Sequence, residues 1–198
     1  MNTTMFKGQR LSGEGWLAHV MACGVCLSLW CGLCPFSRAD GALPEYQVKA
    51  LFLLNFTKYV DWPPQVFAGS NTPITIGIYG ESKLGEALQL VVAGKSVGGR
   101  TIVIRQLQST DDSSQCQILF ISESAASRTS GILDKTCALP ILTVGEDATL
   151  AQHGGIINFV LKNGNVRLEI DLAAARKAGL TISSRLLAVA DVVKGKTN

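Results

Sequence analysis

Apolar positions recur with two different periods along the chain, and each change of period marks an element. Val48, Leu51, Phe52, Phe56 and Tyr59, with Asn55 in the same series, follow the i, i+3, i+4, i+7 spacing of a helix. Pro44 opens that helix and Pro63-Pro64 closes it just after Trp62. Ala50, Leu53 and Leu54 add apolar residues on its other sides, so the segment is apolar beyond one stripe. Ile74 to Tyr79 then reads as a buried strand, followed by a turn at Gly80-Glu81-Ser82 and a helix through Leu84, Leu88 and Val91. Gly94 to Arg100 reads as a turn, and the alternating Thr101 to Gln106 as a second strand. After a polar loop at Asp111 to Ser114, Ile118 to Ile121 is a third strand and Ser122 to Lys135 a helix. Leu139 to Val144 is a fourth strand, and Asp147 to Gln152 a short helix closed by Gly154-Gly155. Ile156 to Leu161 and Val166 to Ile170 are strands around Asn163-Gly164, a strong hairpin turn signal. Leu172 to Lys177 and Ser184 to Val193 complete the pattern as helices.

Strands that alternate with helices predict an α/β fold: a three-layer, mostly parallel sheet flanked by helices on both faces. The late hairpin adds antiparallel strands at its edge. No internal repeat is visible.

The first 39 residues stand apart. Lys7 and Arg10 precede an almost uncharged run from Trp16 to Phe36, and Pro35 breaks it before Ser37-Arg38-Ala39. A basic start, an apolar centre and small residues at −3 and −1 predict a secretory signal peptide over residues 1–39, cut after Ala39. The alternative is an uncleaved membrane anchor, since the run is long enough to cross a bilayer. Either way the domain at residues 40–198 is exported. It carries 15 basic and 14 acidic residues without a basic stripe, which argues against nucleic acid.

Candidate chemistry is sparse. Cys23, Cys26, Cys31 and Cys34 have zinc-like spacing, but an apolar leader has no loop to wrap a metal. Val20-Met21-Ala22 before Cys23 is a poor lipobox. Gly80-x4-Gly85 starts like a phosphate loop, yet Glu86-Ala87 stands where Lys-Ser/Thr is needed. His153, the one imidazole after the leader, lies at an expected helix end and has no nucleophile motif beside it. No catalytic residue, metal or cofactor is therefore expected. Cys116 and Cys137 stand before the third and fourth strands. In parallel neighbours that placement brings them within about 5 Å. A disulfide there would contribute about 3 kcal/mol; the alternative is two buried thiols. Arg167 and Glu169 alternate on one strand face, either a recognition surface or a solvated edge.

Ala50-Leu51-Phe52-Leu53-Leu54-Asn55-Phe56-Thr57-Lys58-Tyr59-Val60-Asp61-Trp62-Pro63 resembles the opening helix motif of the YfiR family of exported bacterial proteins. Gly154 to Leu161 with Val166 to Ile170 resembles its second hallmark, and Leu172 to Leu180 with Ile182 to Leu187 its closing segment. The likeness runs over residues 45–193. It implies a periplasmic regulator rather than an enzyme. It further implies repression of an inner-membrane diguanylate cyclase by contact with its periplasmic part, and so control of cyclic di-GMP. An outer-membrane lipoprotein that relieves repression and a homodimer are the other partners it implies. A related sensor protein is an alternative target. The expected partner-binding residues are some of Phe52, Phe56, Tyr59 and Trp62, together with Arg167 and Glu169; the alternative is that the first helix is buried in its own core. The competing reading is a periplasmic sensor that holds a small ligand at the carboxyl ends of its strands.

Overall fold

The computed structural model describes residues 44–193. The expected signal peptide over residues 1–39, its expected cleavage site after Ala39 and Cys23, Cys26, Cys31 and Cys34 lie outside the described residues.

Helix α1 (Glu45–Tyr59) starts at Pro44, whose carbonyl accepts from the Gln47 and Val48 amides. Glu45 lies in its first turn and Lys58 in its last, each suited to the helix dipole. It buries Ala50, Leu53, Leu54 and Phe56, which explains the apolar excess beyond one stripe. The chain then forms a two-residue strand β1 (Val60–Asp61) and the buried strand β2 (Ile74–Tyr79). Helix α2 (Leu84–Val92) buries Leu84, Ala87, Leu88 and Val92, a helical stripe. Strands β3 (Ser96–Val97) and β4 (Arg100–Leu107) form a hairpin. Its Gly98 and Gly99 both take positive φ, so the expected turn carries a small strand as well.

Strand β5 (Ile118–Ile121) is buried throughout. The stretch expected as one helix divides into a 3-10 segment, Glu123–Arg128, and helix α3 (Thr129–Thr136). Strand β6 (Leu142–Gly145) begins later than the sequence pattern placed it, because Pro140 keeps the chain ahead of it out of the ladder. Helix α4 (Thr149–Gln152) leads to β7 (Ile157–Lys162) and β8 (Asn165–Asp171). Asn163 and Gly164 turn between them, both at positive φ. Buried Asp171 ends β8 and caps helix α5 (Leu172–Lys177), accepting from the Ala173 and Ala174 amides at 2.8 and 3.0 Å. Strand β9 (Thr181–Ile182) pairs with β1. The last expected helix is short, α6 (Ser184–Leu187), and the chain continues as strand β10 (Asp191–Val193). The β-branched pair Val192-Val193 suits an extended strand.

Among the described residues the main sheet has eight strands, in the order β10-β8-β7-β6-β5-β2-β4-β3. The block from β4 to β7 is parallel. The β7–β8 hairpin is antiparallel, and β10 runs parallel to β8 outside it. An α/β fold with a mostly parallel sheet is thus observed, its late hairpin one strand in from the edge.

Two cores flank the sheet. The first joins α1, α2, α5 and α6 to Ile76, Ile78, Ile118, Phe120, Val144, Ile157, Leu168 and Ile170. The second packs Ala125, Ile132, Leu133 and Leu150 on Tyr79, Leu107, Leu119 and Ile121, and takes no residue from β7, β8 or β10. The sheet is covered on both faces at its centre but on one face only toward β10.

Candidate functional site

The six residues expected at an interface divide into three groups. Phe56 is fully buried, its ring 6.3 Å from Phe52 and 6.1 Å from Phe159. Phe120 extends the cluster, 6.4 Å from Phe159. Phe56 is therefore core cement and is not available to a partner. Phe52, Tyr59 and Trp62 are half-buried. The Trp62 indole N–H donates to the Gln117 carbonyl at 3.1 Å, which ties the end of α1 to the start of β5. The outer side of α1 is completed by exposed Leu51 and Lys58.

Arg167 and Glu169 lie on the uncovered face of β8. Lys162 of β7 reaches Glu169 at 3.5 Å and Asp191 of β10 at 2.8 Å. The hydrogen bond between Lys162 and Asp191 raises the amine's pKa and lowers the carboxylate's. Arg167 is exposed and makes no hydrogen bond or ion pair among the described residues. A groove of about 230 Å³ beside it is lined by Lys162, Arg167, Leu168, Val189 and Asp191, among others. Val189 is 57% exposed there.

A buried ion cluster was not foreseen. Lys49 is 4% exposed, and its amine meets the Glu146 carboxylate at 2.6 Å and that of Glu45. The Tyr46 and Phe159 rings flank it at 5.0 and 5.9 Å. Burial by itself lowers the lysine's pKa, but the hydrogen bonds to Glu146 and Glu45 outweigh it and hold the value above the ordinary one. The other Glu146 oxygen accepts from the Glu123 amide at 3.2 Å. The cluster pins the first turn of α1 to the loops after β5 and β6, beside a cavity of about 440 Å³. The Glu45–Lys49 spacing was legible as a helical i, i+4 pair; Glu146, 97 residues on from Lys49, left no local signal.

A second cavity, of about 680 Å³, opens at the carboxyl ends of β2 and β4. The chain order reverses between β4 and β5, so this is the switch point where α/β sheets hold ligands. Gly80 takes φ +88° there. A Cβ would meet the Ser122 and Ser124 hydroxyls at 2.3 and 2.7 Å. Ser124 accepts from the Glu81 amide at 2.8 Å, and the Gln106 amide donates to the Gly80 carbonyl at 2.8 Å. Arg128 lies over the Tyr79 ring at 5.0 Å. Glu81 also lines this cavity.

The structure holds Cys116 and Cys137 as free thiols, not as the expected disulfide. The β5–β6 register, Ile118 opposite Leu142, places Pro140 rather than Cys137 beside Cys116. Cys137 instead ends α3, its amide bonded to the Leu133 carbonyl. Cys116 fills the space left by Gly77, where a Cβ would lie 2.7 Å from its sulfur. Burial pushes its thiol up to about 11. His153 is exposed at the end of α4. Among the described residues no group of three or more His, Cys, Asp or Glu is placed to hold a metal, and no helix is long and apolar enough to cross a membrane.

Comparison with known proteins adds one strong finding. The profile of a family described as YfiR/HmsC-like matches residues 46–191. No curated protein matches. Among solved structures, a conserved domain protein from Vibrio cholerae O1 biovar El Tor is 17% identical with a TM-score of 0.45, covering 61% of this chain and 54% of that one. The ABC domain in complex with L-Trp from Streptococcus pneumonia is 13% identical with a TM-score of 0.44, covering 61% and 55%. The chain spans about half the length of each.

Proposed function

Because the chain belongs to the YfiR/HmsC-like family, we propose that it is an exported regulator that represses an inner-membrane diguanylate cyclase by contact with its periplasmic part. The observation that carries this reading is the family match over residues 46–191, nearly the whole described domain. Residues 1–39 act as the signal peptide, and the mature chain begins at Asp40 in the periplasm.

Such a regulator works without chemistry of its own. It binds the inactive state of the cyclase more tightly than the active one, and the difference in affinity sets how far output falls. The outer side of α1 is the contact surface: Leu51, Phe52, Tyr59 and Lys58 combine apolar area with a charge. The Lys49 cluster and the Trp62 bond hold that helix at both ends, so the surface is pre-shaped. An outer-membrane lipoprotein relieves repression by competing for the chain.

Deletion of the gene should raise cyclic di-GMP, and the full-length chain supplied in trans should lower it again. Unchanged cyclic di-GMP after deletion would sink the reading. Amino-terminal sequencing of periplasmic protein tests the leader, with Asp40 as the expected first residue.

The switch-point cavity favours a second reading, a sensor of a small polar molecule held between Arg128, Ser124 and Glu81. Native mass spectra of protein from its own host would then carry a bound mass that Arg128→Ala loses.

A further inference from the structure

We infer that the open edge of β4 takes up an extended, acidic segment of a partner protein as one more strand of the sheet. The two edges of the main sheet differ. At one end β10 has 3 residues and carries Asp191, which Lys162 holds at 2.8 Å. Shortness and charge are ordinary means of blunting an edge. At the other end β3 covers β4 only where Ser96 meets Thr101 and Val97 meets Arg100. Residues 102–107 pair with β2 on one side, and among the described residues no strand meets them on the other. That free edge is about 20 Å long. Its sequence, Ile102-Val103-Ile104-Arg105-Gln106-Leu107, is rich in β-branched residues and has no Pro or Gly to spoil pairing.

The hairpin fixes which groups lie open. Its two-residue turn, Gly98-Gly99, closes on a hydrogen-bonded pair, Val97 and Arg100. The Arg100 amide and carbonyl therefore point away from β2, and the period of two carries that direction to Ile102, Ile104 and Gln106. Their N–H and C=O groups form a row that an extended backbone satisfies and that a helix, a lipid surface or a small ligand does not. Charge then selects the segment. Lys95, Arg100 and Arg105 lie between residues 95 and 107, with no acid among them. None of the three makes an ion pair among the described residues. Arg100 donates to the Gly69 and Thr72 carbonyls, and Arg105 to the Gln115 amide oxygen at 3.2 Å. Asp112 lines a cleft with Arg105 but does not pair with it. Val103, 36% exposed, shares a face with Arg105, while Ile102 and Ile104 pack against the first core. The segment that fits sets an apolar residue opposite Val103 and a carboxylate two positions on, opposite Arg105.

The test reads peptide binding and not cyclic di-GMP, so its failure leaves the cyclase reading standing. The full chain is expressed and purified as the cell delivers it. The probe is a fluorescent synthetic peptide, Val-Thr-Glu-Thr-Val-Thr-Glu-Thr, followed by anisotropy, and it should bind with a Kd of about 100 μM or tighter. Two further peptides carry N-methyl groups on alternate backbone nitrogens, in the two possible phases. One phase blocks the amides that face β4 and should lose binding; the other should keep it. Arg105→Glu should weaken binding of the parent peptide about tenfold and favour a peptide with Lys in place of Glu. Circular dichroism checks that this variant keeps its fold. In nuclear magnetic resonance the Ile102, Ile104 and Gln106 amides should shift and gain protection from exchange when the parent peptide is added. No binding at about 1 mM, equal binding of both methylated peptides, or shifts confined to the outer side of α1 would each overturn the inference. Self-association of the chain that Arg105→Glu abolishes would give the edge to a second copy and overturn it as well.

Discussion

The two halves of the sheet are built from similar strands yet differ in what lies over them. At the centre, every residue of β2 and β5 is buried; β5 reads as an unbroken apolar run, and β2 is interrupted only by Thr75 and Gly77. In β8, Leu168 and Ile170 are buried while Arg167 is exposed and Glu169 half-exposed. The cause is the connection rather than the strand. A parallel crossover must leave the sheet and return, and it brings a helix with it. The links from β5 to β6 and from β6 to β7 supply α3 and α4, whose Ile132, Leu133 and Leu150 sit in the second core. The tight hairpin between β7 and β8 brings no helix. The following helices α5 and α6 join the first core. A third layer therefore ends where the crossovers end.

Substitutions sharpen that contrast. Phe56→Ala removes a fully buried ring from the aromatic cluster and should cost about 3–5 kcal/mol in urea unfolding. A loss below about 1 kcal/mol would mean that α1 is not part of the core. Lys49→Met should cost about 3 kcal/mol, because it leaves the buried Glu146 carboxylate unpaired. Its pH dependence has a definite sign. The folded lysine's pKa is raised, so the unfolded chain loses the proton first as pH rises. The stabilisation is full below the ordinary lysine value and is lost above it, so the gap between wild type and variant should narrow at alkaline pH.

Thiol alkylation at pH 8 compares the cysteines. Cys116, buried and with its pKa near 11, should react at least about a hundredfold more slowly than half-buried Cys137. Equal rates would mean that the packing over Gly77 opens readily, and a blocked pair would mean a disulfide after all. The smallest effect belongs to the open half. Leu161→Thr, at a position 56% exposed, should change stability by no more than about 0.5 kcal/mol.

Legibility in the sequence followed the same division. Strand β5 and helix α5 stand where periodicity and composition placed them, at Ile118–Ile121 and Leu172–Lys177. Asn163-Gly164 turned as its backbone preference required. What local pattern missed were relations across distance. Val192-Val193 continued a helical spacing on paper, but the free edge of β8 offered hydrogen bonds that drew them into a strand. The cysteine pairing rested on register, and Pro140 displaced Cys137 from the position it needed. Phe52, Phe56, Tyr59 and Trp62 read as one aromatic surface; packing against Phe159 on β7 took Phe56 inside. Arg167 and Glu169 were read correctly as sharing a face, while the absence of a layer above them followed only from the topology.

The indole bond at the start of β5 has an optical consequence. The chain has three tryptophans, and Trp16 and Trp30 fall within residues 1–39, the proposed signal peptide. A chain cleaved after Ala39 therefore carries a single emitter, half-buried Trp62, seated where α1 meets the sheet. Its emission should shift to the red when that junction loosens, so tryptophan fluorescence would report the seating of the first helix without a label, during unfolding or on contact with another protein.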